Sequence, residues 1–293
     1  MRVERGKRLD RWRGRHSVVG KLMALFDFVS LPRILWKNRD LVGQMTRRNV
    51  EQRYRGSLLG LIWSFVQPLM MLTVYTFVFS VVFKAKWGVS VDGGKGSFAV
   101  IMFCGMTMYN LFSETVMTSC MSIANNQNLV KKVIFPLEIL PVVCVFTTYI
   151  LGIPWFLLLF AGAYFILDFI GVTMLLMPIV LIPLIVFSTG LSYIVAALGV
   201  YVRDTQYALG IVLQILFFAT PIFYPTSAVP ENLRWILSWN PLTVFIEQAR
   251  NVFLYGKLPD WAFLGLATLI SFIVLQVGVF FFVRTKRGFA DVI

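Results

Sequence analysis

Four arginines stand together immediately before a long apolar run. They are Arg47, Arg48, Arg53 and Arg55. Gly56 then begins 28 residues without a charged side chain. A guanidinium can pair bidentately with phosphate oxygens and keeps its charge at physiological pH. The cluster can therefore contact anionic lipid headgroups, and its charge alone can fix the orientation of the chain in a membrane.

The basic character extends to the start of the chain. Residues 1–55 hold 15 Lys and Arg against 5 Asp and Glu, so most of the formal net charge of +13 precedes the first apolar run. A basic tail can bind nucleic acid or anionic lipid. Because no nucleic-acid motif accompanies it and an apolar run follows directly, we expect contact with membrane lipids and control of topology, and no nucleic acid.

The chain lacks the parts of a catalytic centre. Its one histidine is His16, and no Cys, His and Asp residues have the spacing of metal ligands. The glycine-rich stretch GVSVDGGKGS matches a phosphate-binding loop only in part. Such a loop requires lysine where Gly94 stands, and Lys95 is followed by Gly96 rather than by Ser or Thr. We therefore expect no enzyme activity, metal or cofactor in this chain.

Two kinds of side chain within the apolar runs could contact a substrate. Glu114 lies where a carboxylate is costly, and it could serve a proton relay, a structural hydrogen bond or helix packing. Aromatic faces suit the apolar C–H faces of sugars, although core or lipid packing is the commoner role of any single ring. The aromatic candidates are Trp63, Tyr75, Phe79, Tyr109, Phe112, Tyr149 and Trp155.

The composition indicates a membrane protein. Of 293 residues, 58% are hydrophobic and 14% are charged, whereas soluble domains carry about 25% charged residues. A helical crossing needs about 20 apolar residues, and several charge-poor runs reach that length. We predict an all-α membrane protein with six transmembrane helices. The predicted spans are residues 57–83, 97–121, 139–166, 172–201, 206–224 and 261–283.

The segment before the last span, residues 225–255, is predicted to be a re-entrant helical hairpin. Its longest uncharged piece, residues 235–246, has 12 residues and contains a proline, so it is too short to cross. A seventh crossing would also place the basic C-terminal tail outside, against the positive-inside rule. With six crossings, 21 of the 27 Lys and Arg face the cytoplasm and both termini are cytoplasmic.

The segment before the first span is predicted to carry two surface helices. Residues 17–29 place their apolar side chains on one face and form an amphipathic helix. Residues 36–55 are richly basic, and we expect them to lie on the cytoplasmic membrane surface with their arginines at headgroup level. Residues 1–55 thus form a basic cytoplasmic tail, and residues 56–293 form the transmembrane domain.

Five stretches of the chain occur in an order known from one family. They are RYRGSLLGLIWSFVQPLMM, YNLFSETVMTSCMSIANNQNLVKKVIFPLEILP, YVRDT, FFATPIFYP and WNPLTVFIEQAR. In this order they resemble the membrane (permease) subunit of ABC-2 type transporters, in the branch that exports lipid-linked polysaccharides and polyol phosphates such as O-antigen, capsule or teichoic acid. The resemblance covers roughly residues 37–290, and no single motif would suffice for it.

This resemblance implies a homodimer with two cytoplasmic ABC ATPase subunits, which would bind ATP and Mg. The complex would move a glycan on an undecaprenyl-type lipid outward across the bacterial inner membrane, through a channel between protomers. The basic helix before the first span would then be an interface helix, and its arginines could meet the lipid pyrophosphate.

The resemblance also assigns roles to two loops. Residues 125–135 would form the coupling helix that docks on the ATPase, and residues 225–255 would form gate helices at the outer mouth. The coupling candidates are Asn125, Asn126, Asn128, Lys131 and Lys132. The gate candidates are Tyr224, Trp239, Asn240, Pro241, Glu247 and Arg250.

Two rival classes stay open at this point. One is a related ABC-2 exporter of drugs or small lipo-oligosaccharides, and the other is a stand-alone secondary transporter or membrane enzyme. A neighbouring gene for a nucleotide-binding subunit would exclude the second class. Neighbouring glycosyltransferase genes would exclude the first.

Overall fold

The computed structural model describes residues 30–53, 55–57, 60–82, 95–130, 135–168 and 170–292. Every regular element within these ranges is helical, so the all-α prediction is confirmed. The predicted amphipathic helix at residues 17–29 lies outside the described residues.

The α-helices are numbered here in chain order. They are α1 Ser30–Lys37, α2 Arg39–Arg53, α3 Trp63–Tyr75, α4 Lys95–Cys120, α5 Gln127–Val130, α6 Ile139–Leu151, α7 Ile153–Leu167, α8 Met177–Tyr201, α9 Thr205–Ala219, α10 Arg234–Trp239, α11 Pro241–Phe253, α12 Trp261–Thr285 and α13 Phe289–Val292. A π-helical segment, Thr76–Val82, continues α3, and short 3₁₀ turns precede α3, α5, α8, α10 and α13. Of the predicted basic helix at residues 36–55, residues 39–53 form α2, and a turn at Asn38 separates α2 from α1.

Four stretches in the described part of the chain are long and apolar enough to cross a membrane. They are Gly96–Cys120, Ile139–Leu167, Val172–Tyr201 and Trp261–Val292. They coincide with the second, third, fourth and sixth predicted spans. The second of these stretches is made of α6 and α7, which meet at Gly152.

The helices at the first and fifth predicted spans are shorter, at Trp63–Phe79 and Thr205–Ala219. The 15 residues of α9 rise only about 22 Å, against a hydrocarbon core of about 30 Å. Helix α9 ends at Ala219 rather than at residue 224, because Thr220 adopts an extended backbone (ψ 141°) before Pro221. A residue that precedes proline is driven out of the helical region by the proline ring.

The basic helix, the polar loops and the C-terminal tail gather at one end of the molecule. Val42 and Met45 of α2 belong to the same buried cluster as Ile123, Ile139 and Phe289. Tyr193 of α8 is fully buried in this cluster, and its hydroxyl donates to the carbonyl of Glu138 at 2.7 Å. The segments that the charge distribution assigns to the cytoplasm therefore pack together.

At the opposite end, α4 contacts α7, and the turn before α8 contacts α11. A Cβ on Gly96 would lie 2.6 Å from Cγ2 of Ile166, so the start of α4 touches the end of α7. Thr173 Oγ1 donates to the carbonyl of Val252 at 2.7 Å, which ties the turn before α8 to the end of α11.

Helix α4 lies at the centre of the fold. Of the most apolar 18-residue stretch of α4, 83% is buried inside the protein. The helix packs on α6, α7, α8, α9 and α11. The two helices in most extensive contact with each other are α8 and α12. A Cβ on Gly278 of α12 would lie 2.1 Å from the carbonyl oxygen of Gly190 in α8. Glycine at both positions therefore lets the two backbones touch, as small residues do at helix contacts within membranes.

Candidate functional site

An ion pair joins the basic helix α2 to the central helix α4. Nη2 of Arg53, the last residue of α2, donates to Oε1 of Glu114 at 2.7 Å. The two side chains are 47% and 42% exposed, so both remain accessible to water. A pair this accessible contributes only about 0–1 kcal/mol to stability. Another anion can therefore replace the Glu114 carboxylate at small cost.

Two cavities meet at this ion pair. The surface cavity, of about 460 Å³, lies between α2, the polar loop after α4, and α6. The second cavity, of about 200 Å³, lies farther along α4 from the basic helix, between α3, α4 and the junction of α6 with α7. We call it the deep cavity for this position, although it is about as open as the surface cavity. Four residues line both cavities and form their boundary. They are Arg53, Glu114, Thr148 and Leu151.

The four arginines of the sequence cluster are placed differently. Arg48 and Arg53 line the surface cavity, together with Asn49 and Gln52 from the same helix. Arg47 instead pairs with Glu51 at 2.8 Å, and its side chain is 83% exposed. The hydrogen bond to Glu51, with the charge of that carboxylate, raises the pKa of the Arg47 guanidinium. Arg55 is exposed beyond the end of α2 and lines neither cavity.

Two of the predicted aromatic residues line the deep cavity. They are Tyr75 of α3 and Trp155 of α7. The Trp155 ring stacks on Phe103 at 5.5 Å between centroids, with 8° between the ring planes. The Tyr75 ring lies 5.3 Å from Phe223, in the segment that follows α9.

The other predicted aromatic residues lie elsewhere. Tyr109 is buried in the protomer and its hydroxyl donates to the carbonyl of Leu213. Phe112 is buried against Phe187, with the ring centroids 5.8 Å apart. Phe79 stacks on Phe223 at 4.7 Å, Trp63 is 42% exposed, and Tyr149 is half-buried.

The predicted coupling segment forms the floor of the surface cavity. Asn125 and Asn126, in the 3₁₀ turn before α5, line that cavity. Asn126 Nδ2 donates to the carbonyl of Ser122 at 2.8 Å, which fixes the turn. Asn128 is exposed on α5, a helix of four residues. Lys131 and Lys132 lie outside the described residues.

The predicted gate segment contains two short helices, α10 and α11. Asn240 caps α11: its Oδ1 accepts from the Leu242 amide at 3.0 Å, and Pro241 occupies the first helical turn. Asn240 Nδ2 also donates to Thr220 Oγ1 at 2.9 Å, where α9 ends. The Tyr224 hydroxyl donates to the carbonyl of Phe218 at 3.1 Å. Trp239 is 83% exposed, and Glu247 is half-buried.

Arg250 of α11 is the one gate candidate at the centre of a buried network. It is 3% exposed and donates to three backbone carbonyls, those of Ile101, Pro221 and Ile222, at 3.3, 2.7 and 2.9 Å. A Cβ on Gly105 would lie 2.7 Å from Nη2 of Arg250, so glycine at this position of α4 makes room for the guanidinium. Arg250 thus joins α11 to α4 and to the break after α9.

The sequence reasoning missed the polar lining of the deep cavity. Its neutral polar side chains are Ser64, Gln67, Thr107, Asn110 and Thr148. Ser64 and Gln67 are three residues apart, and Thr107 and Asn110 continue to Glu114 at offsets of three and seven. This is the spacing of one helix face, so the polar residues of two otherwise apolar helices could have identified the site.

The two cavities together can hold an extended anionic molecule. The arginine side chains of the surface cavity can bind phosphate, whereas the deep cavity offers amides, hydroxyls and aromatic rings. Within the described part of the chain, no three His, Cys, Asp or Glu side chains are grouped to hold a metal ion.

Comparison with known proteins adds the following matches. The sequence profile of the ABC-2 type transporter family matches residues 40–254. The O-antigen export system permease protein RfbA of Myxococcus xanthus is 30% identical over 268 residues, which cover 90% of this chain and 99% of that protein. The protein of the same name from Klebsiella pneumoniae is 26% identical over 262 residues, covering 87% and 95%. The polysialic acid transport protein KpsM of Escherichia coli is 23% identical over 245 residues, covering 82% and 91%.

Proposed function

Because this chain belongs to the ABC-2 type transporter family, we propose that it is the membrane-spanning subunit of an ATP-driven exporter of a lipid-linked polysaccharide. The substrate class rests on its similarity, over most of its length, to permeases named for O-antigen and polysialic acid transport. One structural observation supports it. A displaceable arginine–carboxylate pair lies where a cavity beside a basic helix meets a polar cavity among apolar helices.

In the proposed complex, two copies of this chain assemble with two ABC ATPase subunits. ATP and Mg bind to the ATPases, and this chain carries the substrate across the bacterial inner membrane. The Asn125–Asn126 turn, with the lysines that follow α5, docks on the ATPase. The turn also lines the surface cavity, so the same residues would contact the ATPase on one side and the substrate on the other.

The proposed topology has six crossings and a re-entrant hairpin made of α10 and α11. These helices have 6 and 13 residues, or about 9 and 20 Å, and neither is long enough to cross. In this arrangement residues 220–224, which follow α9, complete the membrane crossing that α9 alone is too short to make. Both termini face the cytoplasm, and Arg250 holds the hairpin to α4.

Site-specific tags test this topology. Successive tags should lie on alternate sides of the membrane, with the first, third, fifth and seventh in the cytoplasm and the second, fourth and sixth outside. The tag positions, in order, are the N-terminus, Gly94, Lys131, Asp168, Thr205, residues 229–232 and the C-terminus. A C-terminal tag that is labelled from outside intact cells would contradict the re-entrant hairpin.

Inactivation of the gene in its host tests the function. Lipid-linked polysaccharide should accumulate on the cytoplasmic side and disappear from the cell surface, and the wild-type gene should restore it. If surface polysaccharide is unchanged and resistance to a drug is lost instead, the chain belongs to an exporter of small molecules.

A further inference from the structure

We propose that the deep cavity is a subsite for the single sugar that is bonded directly to the phosphate of the lipid carrier. The inference rests on the proposed function and names the part of the substrate that this cavity recognises. The surface cavity holds the carrier's diphosphate at Arg48 and Arg53, and the sugar ring enters the deep cavity past Glu114.

The position of the deep cavity supports this assignment. It shares Arg53, Glu114, Thr148 and Leu151 with the surface cavity, so a ligand whose phosphate lies on Arg53 reaches the deep cavity through its next group. From Glu114 to Thr107, the polar side of the cavity extends for two turns of α4, or about 10 Å. The deep cavity therefore extends only about 10 Å from the phosphate site.

The size of the deep cavity indicates one sugar ring. Its volume of about 200 Å³ lies below the roughly 300 Å³ at which pockets for drug-sized ligands begin. A single ring fills such a space, and because the cavity is partly open, the polymer that follows the ring can extend out of it. Recognition here would therefore read the first sugar and tolerate any polymer beyond it.

The lining has the chemistry of a sugar site. The carboxamides of Gln67 and Asn110 can each donate and accept hydrogen bonds, as sugar hydroxyls require. The Thr107 hydroxyl donates to the carbonyl of Phe103 at 2.8 Å and keeps its lone pairs for a ligand. The rings of Tyr75 and Trp155 face the same space and can receive the apolar face of a pyranose.

Other occupants fit this lining less well. An acyl chain would offer no hydrogen bond to the carboxamides of Gln67 and Asn110, at a cost in free energy. A phosphate inside the deep cavity would meet the carboxylate of Glu114 and only one arginine, Arg53. A neutral polar ring next to a phosphate satisfies both the arginine and the neutral lining.

Glu114 is also suited to control access. Its carboxylate pairs with Arg53 at the boundary of the two cavities, and a phosphate on Arg53 would compete with it. Release of Glu114 from Arg53 would remove the bridge between α2 and α4 at the mouth of the deep cavity. Phosphate binding and sugar insertion would then be coupled through one side chain.

Binding of two defined probes tests the subsite in the complex reconstituted into lipid nanodiscs. One probe is farnesyl diphosphate, and the other is farnesyl diphosphate that carries a single N-acetylglucosamine or galactose. The wild-type complex should bind at least one sugar-bearing probe about tenfold more tightly than the sugarless probe. Gln67→Leu and Asn110→Leu should each remove this advantage and leave the affinity for the sugarless probe within about twofold.

The control variant is Gln206→Leu, because Gln206 is an exposed glutamine on α9 that lines neither cavity. It should keep the tenfold ratio. Gln67 is itself exposed, so its variant should fold even if Asn110→Leu does not. Equal binding of the sugarless and sugar-bearing probes by the wild type, or an unchanged ratio in Gln67→Leu, would overturn the subsite and leave the exporter proposal intact. Failure of the wild type to bind any of these probes would overturn the substrate class and the subsite together.

Discussion

Lys286, in the C-terminal tail, forms an ion pair with Glu138, which precedes α6 and lies 148 positions earlier in the chain. The side chain of Glu138 is only 9% exposed and that of Lys286 is 35% exposed. The backbone carbonyl of Glu138 also accepts the hydroxyl of buried Tyr193. The pair therefore connects the end of the last long helix with the segment between α5 and α6.

We predict that Lys286→Met destabilises the protein strongly, because it leaves a buried carboxylate without its counter-ion. Loss of one partner of a fully buried pair costs about 3–5 kcal/mol, and because Lys286 is 35% exposed to screening water, we expect a loss of about 1–3 kcal/mol here. The exchanged pair Glu138→Lys with Lys286→Glu should recover part of that loss. Thermal unfolding of the two variants measures both effects, with Arg287→Met, at an exposed residue of the same tail, as the control. A Lys286→Met protein as stable as the wild type would show that the pair does not hold the tail.

A second prediction concerns Arg250, which donates to three carbonyls through three nitrogen atoms. Lysine keeps the charge but cannot reach three carbonyls that the guanidinium contacts in different directions. The carbonyls of Pro221 and Ile222 lie outside a helix, and each should cost about 1–3 kcal/mol when left unpaired, so that export should fall with stability. Thermal unfolding and export in cells measure these losses.

Arg234→Lys is the matched control for Arg250→Lys. Arg234 lies in the same hairpin and donates to the carbonyls of Val229 and Ser227 at 2.9 and 3.2 Å, but its side chain is 45% exposed. Its replacement should change stability by less than about 1 kcal/mol, as surface substitutions usually do. Equal effects at the two positions would contradict the clamp at Arg250.

Lysine at the four clustered arginines separates recognition from topology. Lysine keeps the charge and the orientation but loses the fork that pairs with phosphate. We predict that the double variant Arg48→Lys with Arg53→Lys lowers export about tenfold, since both residues line the surface cavity. The double variant Arg47→Lys with Arg55→Lys should export within about twofold of the wild type. Export by the first variant at the wild-type rate would mean that only charge matters.

The coupling segment is open to a charge-reversal test. We predict that Lys131→Glu with Lys132→Glu weakens assembly with the ATPase or uncouples ATP hydrolysis from export, while membrane insertion is unchanged. Co-purification, the ATPase rate and export measure the three steps. Lys257→Glu, at an exposed residue between α11 and α12, is the control. If all three quantities stay at wild-type values, the two lysines act only as topology signals.

The apolar runs predicted the long helices well, because twenty or more apolar residues leave few alternatives in a membrane. They did not predict where α9 ends, since that depends on the backbone of Thr220 before Pro221 rather than on hydropathy. The same limit applies at α1 and α2, where a turn at Asn38 divides a segment that is basic throughout.

The site was predicted in part. The arginine cluster indicated the basic helix, but only the fold places Arg53 on Glu114, across 61 positions of sequence. Tyr75 and Trp155 were chosen among seven aromatic candidates, yet residue type could not separate them from the buried Tyr109 and Phe112. Partners distant in sequence, such as Glu138 and Lys286, leave no local pattern.

Transport by the purified complex is the measurement that decides whether this chain is part of an ATP-driven polysaccharide exporter. The subunit and its ATPase partner are reconstituted into vesicles that hold the host's lipid-linked polysaccharide on the ATPase side, and its arrival on the other side is measured with an impermeant lectin. We expect transport that requires ATP and both subunits, with no ATP hydrolysis by this chain alone. A complex that hydrolyses ATP and moves no polysaccharide, while it carries a small drug-like dye across, would contradict it.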